Sequence, residues 1–549
     1  MLRLRTGLPD PFPWLLVLWL AALILAFIGL GNVPLRDWDE ATVARVSLEM
    51  SRSPWLEELL PTYLGEPYVN KPPGLHLGIA AAFRIWEVVS GSGAGSLPPD
   101  WVVRLVPALG SSLLVPLLGL VQWRLRPGRR DVALATAVIT LTLLPLARHG
   151  RLAMLDGTQL SAMALVWLGT LTAEGSTSRA FAGGLLAGLG GSVLLLLKAP
   201  VAIPVLAAAL TLRALDRDLR SQTWFWLLAG LLLGLVPGLA WHGWHLAARG
   251  PRALVMWGPQ GAARLVRAVN DNAGGPLQPL TQVLVGGWPW LPLLPFGLAR
   301  AWRERRGRAG RWTLALGVVA ALMVFPLRTQ LPWYSLVLWP PFALACGPVL
   351  VDLASRDRAE RLAIRLGGLW AGLGALLLGL VSLCLLMPQS ALPPNGLMVV
   401  LPAAGGLLWG GWWLARPDPL RPPGLAIRIV VFGWYLSLAL LFASPLWNWE
   451  LSEQPSIGPA LDLAKQRPGE PPIRLLEGDD QTRRPSLNWY LDSPAPPLDE
   501  RGKRWPPQQF RLLTRANQQL PKAGARCKLE QSIAQGWNRW LCQAIKPEA

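Results

Sequence analysis

Apolar runs of about twenty residues, parted by short polar stretches, set the rhythm of residues 1–446. Coiled into a helix at ~1.5 Å per residue, such a run spans the ~30 Å hydrocarbon layer of a bilayer. The first runs from Phe12 to Gly31. Further candidate spans are 101–122, 131–147, 157–173, 181–197, 199–212, 224–246, 284–299, 312–327, 332–350, 364–387, 396–415 and 427–445. The stretch 74–90 is apolar too, which leaves thirteen or fourteen crossings.

Loop charge decides between the two counts. Basic clusters recur at Arg124/Arg126/Arg129/Arg130, Arg213/Arg217/Arg220, the run from Arg300 to Arg311, Arg356/Arg358/Arg361/Arg365 and Arg416/Arg421/Arg428. Cytoplasmic loops carry the excess of Lys and Arg. All five clusters fall on that side only if 74–90 lies along the surface or re-enters. Thirteen spans follow, with Arg3 and Arg5 holding the N-terminus inside and the tail from Trp447 outside. The first span has no small-residue cleavage site after it, so it reads as an anchor rather than a signal peptide. The domains expected are a membrane part, 1–446, whose outer loop 32–100 carries the main site, and a small extracytoplasmic α/β domain, 447–549. Ile473-Arg-Leu-Leu reads as a strand of that domain.

Composition supports this picture. The chain is 52% hydrophobic and 15% charged, which excludes an ordinary soluble domain. The net charge of +19 is spread over the arginine loops, so nucleic acid is not an expected partner. Many of the 30 tryptophans flank apolar runs, as an interfacial belt would. Cys346 and Cys384 lie in apolar runs, whereas Cys527 and Cys542 lie in the tail and can pair in an oxidising compartment. Four histidines and four cysteines form no metal-ligand spacing.

The polar residues out of keeping with a membrane part collect in the outward loops: Asp39, Glu40, Lys71, Asp156, Lys198, the stretch from Arg249 to Asp271 and Arg328-Thr-Gln330. Asp37, Asp39 and Glu40 precede a helix-like segment to Met50, then Tyr68-Val-Asn-Lys71-Pro-Pro. Acids in a first helical turn favour its N-terminus in any case, but two adjacent ones point different ways, so one can take a proton while the other braces the loop. Residues 1–446 hold only two lysines, Lys71 and Lys198, among many arginines. A lysine is a compact charge suited to phosphate; a helix-end lysine that snorkels is the plainer alternative for Lys198. Asp156 follows Arg148 and Arg151 at the mouth of a span, where it is either a solvated acid or part of the site. Tyr334, after Gln330-Leu-Pro-Trp, is either an interfacial belt residue or a donor into the site.

Four blocks together resemble the GT-C type of membrane glycosyltransferase, within it the aminoarabinose transferase and protein O-mannosyltransferase-like group. They are Asp39-Glu40, Leu64-Gly-Glu-Pro-Tyr68-Val-Asn-Lys71-Pro-Pro, Arg151-Leu-Ala-Met-Leu-Asp156-Gly, and Leu331-Pro-Trp-Tyr334 leading into Trp339-Pro-Pro. The resemblance implies about thirteen helices in a GT-C fold with a C-terminal extracytoplasmic domain, in the plasma (inner) membrane. It implies transfer of a sugar from a polyprenyl phosphate to a lipid, glycan or protein acceptor at the outer face, with inversion. Asp39 is then the expected base, supported by Glu40 and Asp156. Lys71 and an outer-loop arginine hold the donor phosphate; Arg264 is assigned, with Arg249, Arg252 and Arg267 as rivals. Tyr68, Tyr334, Lys198 and Arg151 complete the expected substrate contacts. No metal is required, although a divalent cation near Asp39 and Asp156 is compatible with those acids. The chain departs from the group at Thr42-Val43, where Arg-Tyr is frequent, and at Gln330, where a lysine is. Two other readings stand beside this one. A lipid-linked sugar flippase would place ionisable residues near the midplane, and these spans keep theirs near the ends. A membrane scaffold leaves the acids and lysines without a role.

Overall fold

The computed structural model describes residues 10–54, 56–91, 96–266, 275, 277–386, 394–416, 422–447, 470–471, 473–475, 485–490, 509–515, 520, 525–533 and 536–544. Helix α1 (Phe12–Phe27) is followed by α2 (Glu40–Arg52), a hairpin of β1 (Thr62–Tyr63) and β2 (Glu66–Pro67), and α3 (Gly74–Ser90). Next come α4 (Asp100–Ser112), α5 (Leu114–Leu125), α6 (Arg130–Thr142), α7 (Leu144–Gly150), α8 (Leu155–Thr172), α9 (Thr177–Asp216) and α10 (Ser221–Arg249). Tight turns over Gly250–Met256 and Gly258–Ala262 lead to α11 (Ala263–Val266). Then follow α12 (Gln278–Gly286), α13 (Leu294–Arg303), α14 (Arg308–Val324), α15 (Trp339–Ala354), α16 (Arg356–Leu386), α17 (Pro394–Ala415) and α18 (Pro423–Ala443). The tail holds β3 (Ile473–Leu475), α19 (Pro485–Tyr490), β4 (Phe510–Arg515), β5 (Ala525–Ile533) and β6 (Trp537–Ala544).

Each expected span contains helix. Among the described residues seven helical stretches are long and apolar enough to cross a bilayer, or eight if α6 and α7, bent by 62°, form one broken span. Some expected runs do not map one to one onto these stretches. The run 284–299 is divided between α12, a 3-10 turn and α13. The runs 181–197 and 199–212 join into the 40 residues of α9, which breaks at Lys198.

Two compact units divide the chain. One comprises 1–33, 69–75 and 104–451; the other comprises 34–68, 76–103 and 452–549. The outer loop thus groups with the tail, whereas the sequence alone put the boundary at 446/447.

The first unit is the helical membrane part. Glycines let its helices approach closely: a Cβ at Gly184 would lie 2.0 Å from the Leu227 carbonyl oxygen, and one at Gly188 2.3 Å from that of Leu231. Its largest buried side chains include Trp290, Trp312, Trp339, Trp370 and Trp447, so these tryptophans are core rather than belt. Trp290 donates to Thr142 Oγ1 at 2.8 Å and Trp370 to the Pro289 carbonyl at 3.1 Å, which satisfies their ring N–H groups in the apolar interior.

In the second unit Glu49 organises the hairpin. Its carboxylate accepts from Thr62 Oγ1 (2.7 Å), Leu64 N (2.7 Å), Gly65 N (3.2 Å) and Arg45 Nε (2.9 Å). Leu64 and Gly65 both take positive φ, 54° and 81°, as a two-residue hairpin turn needs. Burial raises the Glu49 pKa, but the hydrogen bonds from Thr62, Gly65, Arg45 and Leu64 outweigh it and hold the group below its ordinary value. Arg84 of α3 donates to the Met50 and Ser51 carbonyls at 3.1 Å each, capping the end of α2. The tail forms a sheet in the order β3-β4-β6-β5, parallel between β3 and β4 and antiparallel elsewhere. Cys527 and Cys542 face each other across β5 and β6 and are joined by a disulfide.

Candidate active site

The break in α9 is where the site of the first unit begins. Pro200 has no N–H to give the Leu196 carbonyl, and its ring crowds that turn. Lys198 sits just before it with φ −148° and ψ 77°, outside helical geometry. From α10, His242 Nε2 lies 3.1 Å from the Leu195 oxygen, just before the break. The segment carrying Lys71 is set against the same break. Gly74 opens α3 so close to Leu196 that a Cβ there would lie 2.7 Å from the Leu196 oxygen.

Around this break lies a cavity of about 850 Å³. Its polar end is lined by Lys71, Asp156, Lys198, Arg264 and Tyr334, with Gln159 and Gln260 beside them. Asp156 stands in the first turn of α8, where a carboxylate is favoured. Lys198 Nζ lies 3.0 Å from Asp156 Oδ1 and 4.6 Å above the centre of the Tyr334 ring. Arg264 donates to the Tyr334 hydroxyl and, through Nη2, to Gln260 Oε1 at 2.8 Å. Tyr334 therefore bridges the two cations. Three cations and one carboxylate line this part of the cavity, and such cations suit a phosphate.

The rest of the cavity is apolar. Pro200, Pro204, Ala207, Ala208 and Leu215 follow one face of the second half of α9, and Val319 and Leu322 of α14 face in as well. The fifteen steps from Pro200 to Leu215 make a lane of ~22 Å at helical rise. Wall residues Ile203, Leu215 and Leu322 are 61%, 49% and 65% exposed, so the lane is not sealed.

The second unit places the acids. Glu40 is fully buried, and its Oε2 accepts from Arg36 N at 3.1 Å. Asp39 precedes the first residue of α2 without capping it through its side chain. Tyr68 is buried against Val46, Met50 and Ala80 and meets His76 edge-on at 5.7 Å. Burial first, then the nearby Asp39 and Tyr63 charges, push its phenol well above the ordinary range, so Tyr68 is a neutral donor beside Asp39.

Five expected site residues thus share one cavity: Lys71, Asp156, Lys198, Arg264 and Tyr334. Asp39, Glu40 and Tyr68 belong to the other unit. Arg151 lies elsewhere in the first unit. It is fully buried, donates to the Leu25 carbonyl at 3.0 Å and to that of Ile28 at 2.5 Å, and lies 4.4 Å and 4.5 Å from the ring centres of Phe442 and Trp447. It caps the end of α1. Of the rival arginines, Arg249 and Arg252 do not line the cavity, and Arg267 lies outside the described residues. Gln330 donates to the Val324 and Leu327 carbonyls and closes the end of α14. Sequence reasoning passed over Gln159, Gln260 and Glu49, whose neutral or commonplace side chains stand out in no pattern.

No protein-family model matches the chain. It is 28% identical over 482 residues to the undecaprenyl phosphate-alpha-4-amino-4-deoxy-L-arabinose arabinosyl transferase of Pectobacterium carotovorum, covering 82% of this chain and 79% of that protein. A second relative, arabinosyl transferase 1 of Sodalis glossinidius, is 28% identical over 465 residues, with 79% and 73% covered. Among solved structures, ArnT of Cupriavidus metallidurans bound to undecaprenyl phosphate superposes with a TM-score of 0.70 at 18% identity, over 97% of this chain and 98% of that one. Shared architecture over nearly the full length of both chains gives this chain the GT-C fold of that structure, and over most of its length its sequence is similar to the undecaprenyl-phosphate aminoarabinose transferases.

Proposed function

We propose that the chain transfers a sugar from a polyprenyl-phosphate donor to an acceptor at the outer face of the plasma (inner) membrane. The observation that carries this reading is the cavity of the first unit: Lys71, Lys198 and Arg264 line it together with an apolar lane whose walls are partly exposed. A phosphate on a long isoprenoid has that division of charge and apolar length. The relatives named above act on undecaprenyl phosphate carrying aminoarabinose, which agrees in class.

In this reading Asp39 takes the proton of an acceptor hydroxyl. The acceptor oxygen bonds to the anomeric carbon as the bond from that carbon to the phosphate oxygen breaks. The electron pair goes to the phosphate, and the anomeric centre inverts. Lys71 and Arg264 offset the charge that grows on the departing phosphate. Asp156 fixes Lys198, and Tyr68 donates a hydrogen bond near Asp39. The scheme gives a divalent cation no role. The N-terminus is cytoplasmic, and the tail faces outward.

The test is turnover of a labelled polyprenyl-phosphate sugar by purified protein in lipid. Wild type should release polyprenyl phosphate and glycosylate an acceptor. Asp39→Asn, Lys71→Ala and Arg264→Ala should fold and lose ~10²-fold or more. Unimpaired turnover in all three would overturn the assignment. Passage of unaltered lipid from one leaflet to the other would favour a flippase instead.

A further inference from the structure

The acidic turn of the second unit is held in a conformation that its own residues resist. Asp39 N donates to the Asp37 carbonyl at 2.7 Å, skipping one residue, and Trp38 between them has φ +62°. An L-residue with a bulky side chain pays for that conformation, and such turns persist only when their surroundings over-determine them. Trp38 as a residue is 51% exposed, so its own packing holds little of the turn. The constraint comes from both flanks. On one side Glu40 bonds to Arg36 N, and Ala41 N donates to the Arg36 carbonyl at 2.9 Å.

On the other side the constraint arrives from the far end of the chain. Asp37 is 4% exposed, and its Oδ1 accepts from Ser486 N at 3.1 Å and from the Ser486 hydroxyl. Leu35 N donates to the Tyr490 hydroxyl at 2.6 Å, and that hydroxyl donates to Asp100 Oδ2 at 2.7 Å. Ser486 and Tyr490 are four residues apart on α19 and so share one face of it. Ser486 and Trp489 are fully buried, and the Trp489 ring lies 6.1 Å from that of Phe83. Of these four bonds among the described residues, three fall on Leu35 and Asp37, the residues that lead into Asp39, and the fourth on Asp100.

We propose that α19 is a positioning element for the acidic turn, and that Ser486, through Asp37, sets the orientation of Asp39. Ser486 is a positioning residue, remote from the reacting atoms. The inference rests on the reading of Asp39 as the base. It makes the tail part of the catalytic apparatus rather than an appended domain.

The test uses the full chain in lipid. In Ser486→Ala the backbone N–H to Asp37 remains, so the fold should survive while the turn loosens. Amide hydrogen exchange over residues 36–41 should speed up. Turnover at saturating donor should fall roughly tenfold or more with the donor KM unchanged. Ser486→Thr should restore both, and Trp38→Gly, which relieves the strained residue, should recover part of the loss in Ser486→Ala. Unchanged exchange in Ser486→Ala overturns the proposal. So does faster exchange with normal turnover, provided that Asp39→Asn is inactive. If Asp39→Asn keeps its rate, the base assignment is what has failed, and the exchange result alone decides whether α19 holds the turn.

Discussion

Lys198 has two partners of different kinds: the Asp156 carboxylate at 3.0 Å and the Tyr334 ring at 4.6 Å. Neither end of the pair is well solvated, at 23% and 12% side-chain exposure, so removing one partner strands the other's charge. Asp156→Asn and Lys198→Met should each lower kcat/KM. The double variant should lose less than the sum, with a coupling of about 1 kcal/mol or more. Additive losses would show that the two do not act as a unit. The charged members of this cavity were legible in the sequence because they break its habits: a lysine in an arginine-rich chain, an acid at the mouth of a span. Arg151, an arginine among many, caps α1 instead, because a guanidinium serves backbone carbonyls as well as phosphates and no spacing tells the two apart. Ser486 was invisible for the opposite reason. A serine is ordinary anywhere, and its partner Asp37 is 449 residues away.

At the scale of elements, the break in α9 does what a straight span could not. It brings a lysine backbone out of helical geometry and leaves a carbonyl region against which Gly74 can seat the Lys71 segment. Gly74→Ala should therefore be costly. The new Cβ would meet Leu196 backbone, which cannot rotate away as a side-chain tip could. A loss of about 1–3 kcal/mol in stability, with reduced donor turnover, is the expected outcome. Thermal unfolding in detergent and the turnover assay read the two effects. A variant as stable and active as wild type would show that the close approach is dispensable. The same break explains why apolar runs were a good guide to helix and a poor guide to crossings. The runs 181–197 and 199–212 were seen, but whether such neighbours form one bent helix or two spans depends on backbone angles at a single residue.

For the whole molecule, the lateral opening of the lane matters most. Its walls include exposed apolar residues of the first unit, and the reading above brings the donor in between them sideways from the bilayer. Turnover should then follow the ratio of donor to total lipid rather than the amount of donor per millilitre. Adding inert phospholipid at fixed enzyme and donor should slow the reaction in proportion to the dilution, and a rate indifferent to added lipid would argue for entry from water. The grouping of the outer loop with the tail was not legible from composition, because it is made by contacts rather than by sequence neighbourhood.

The open lane has a kinetic meaning as well. A substrate confined to a sheet searches in two dimensions, and its effective scarcity is a surface density. For this chain a Michaelis constant quoted in molar units would describe the vesicle preparation, whereas one quoted as a mole fraction would describe the protein.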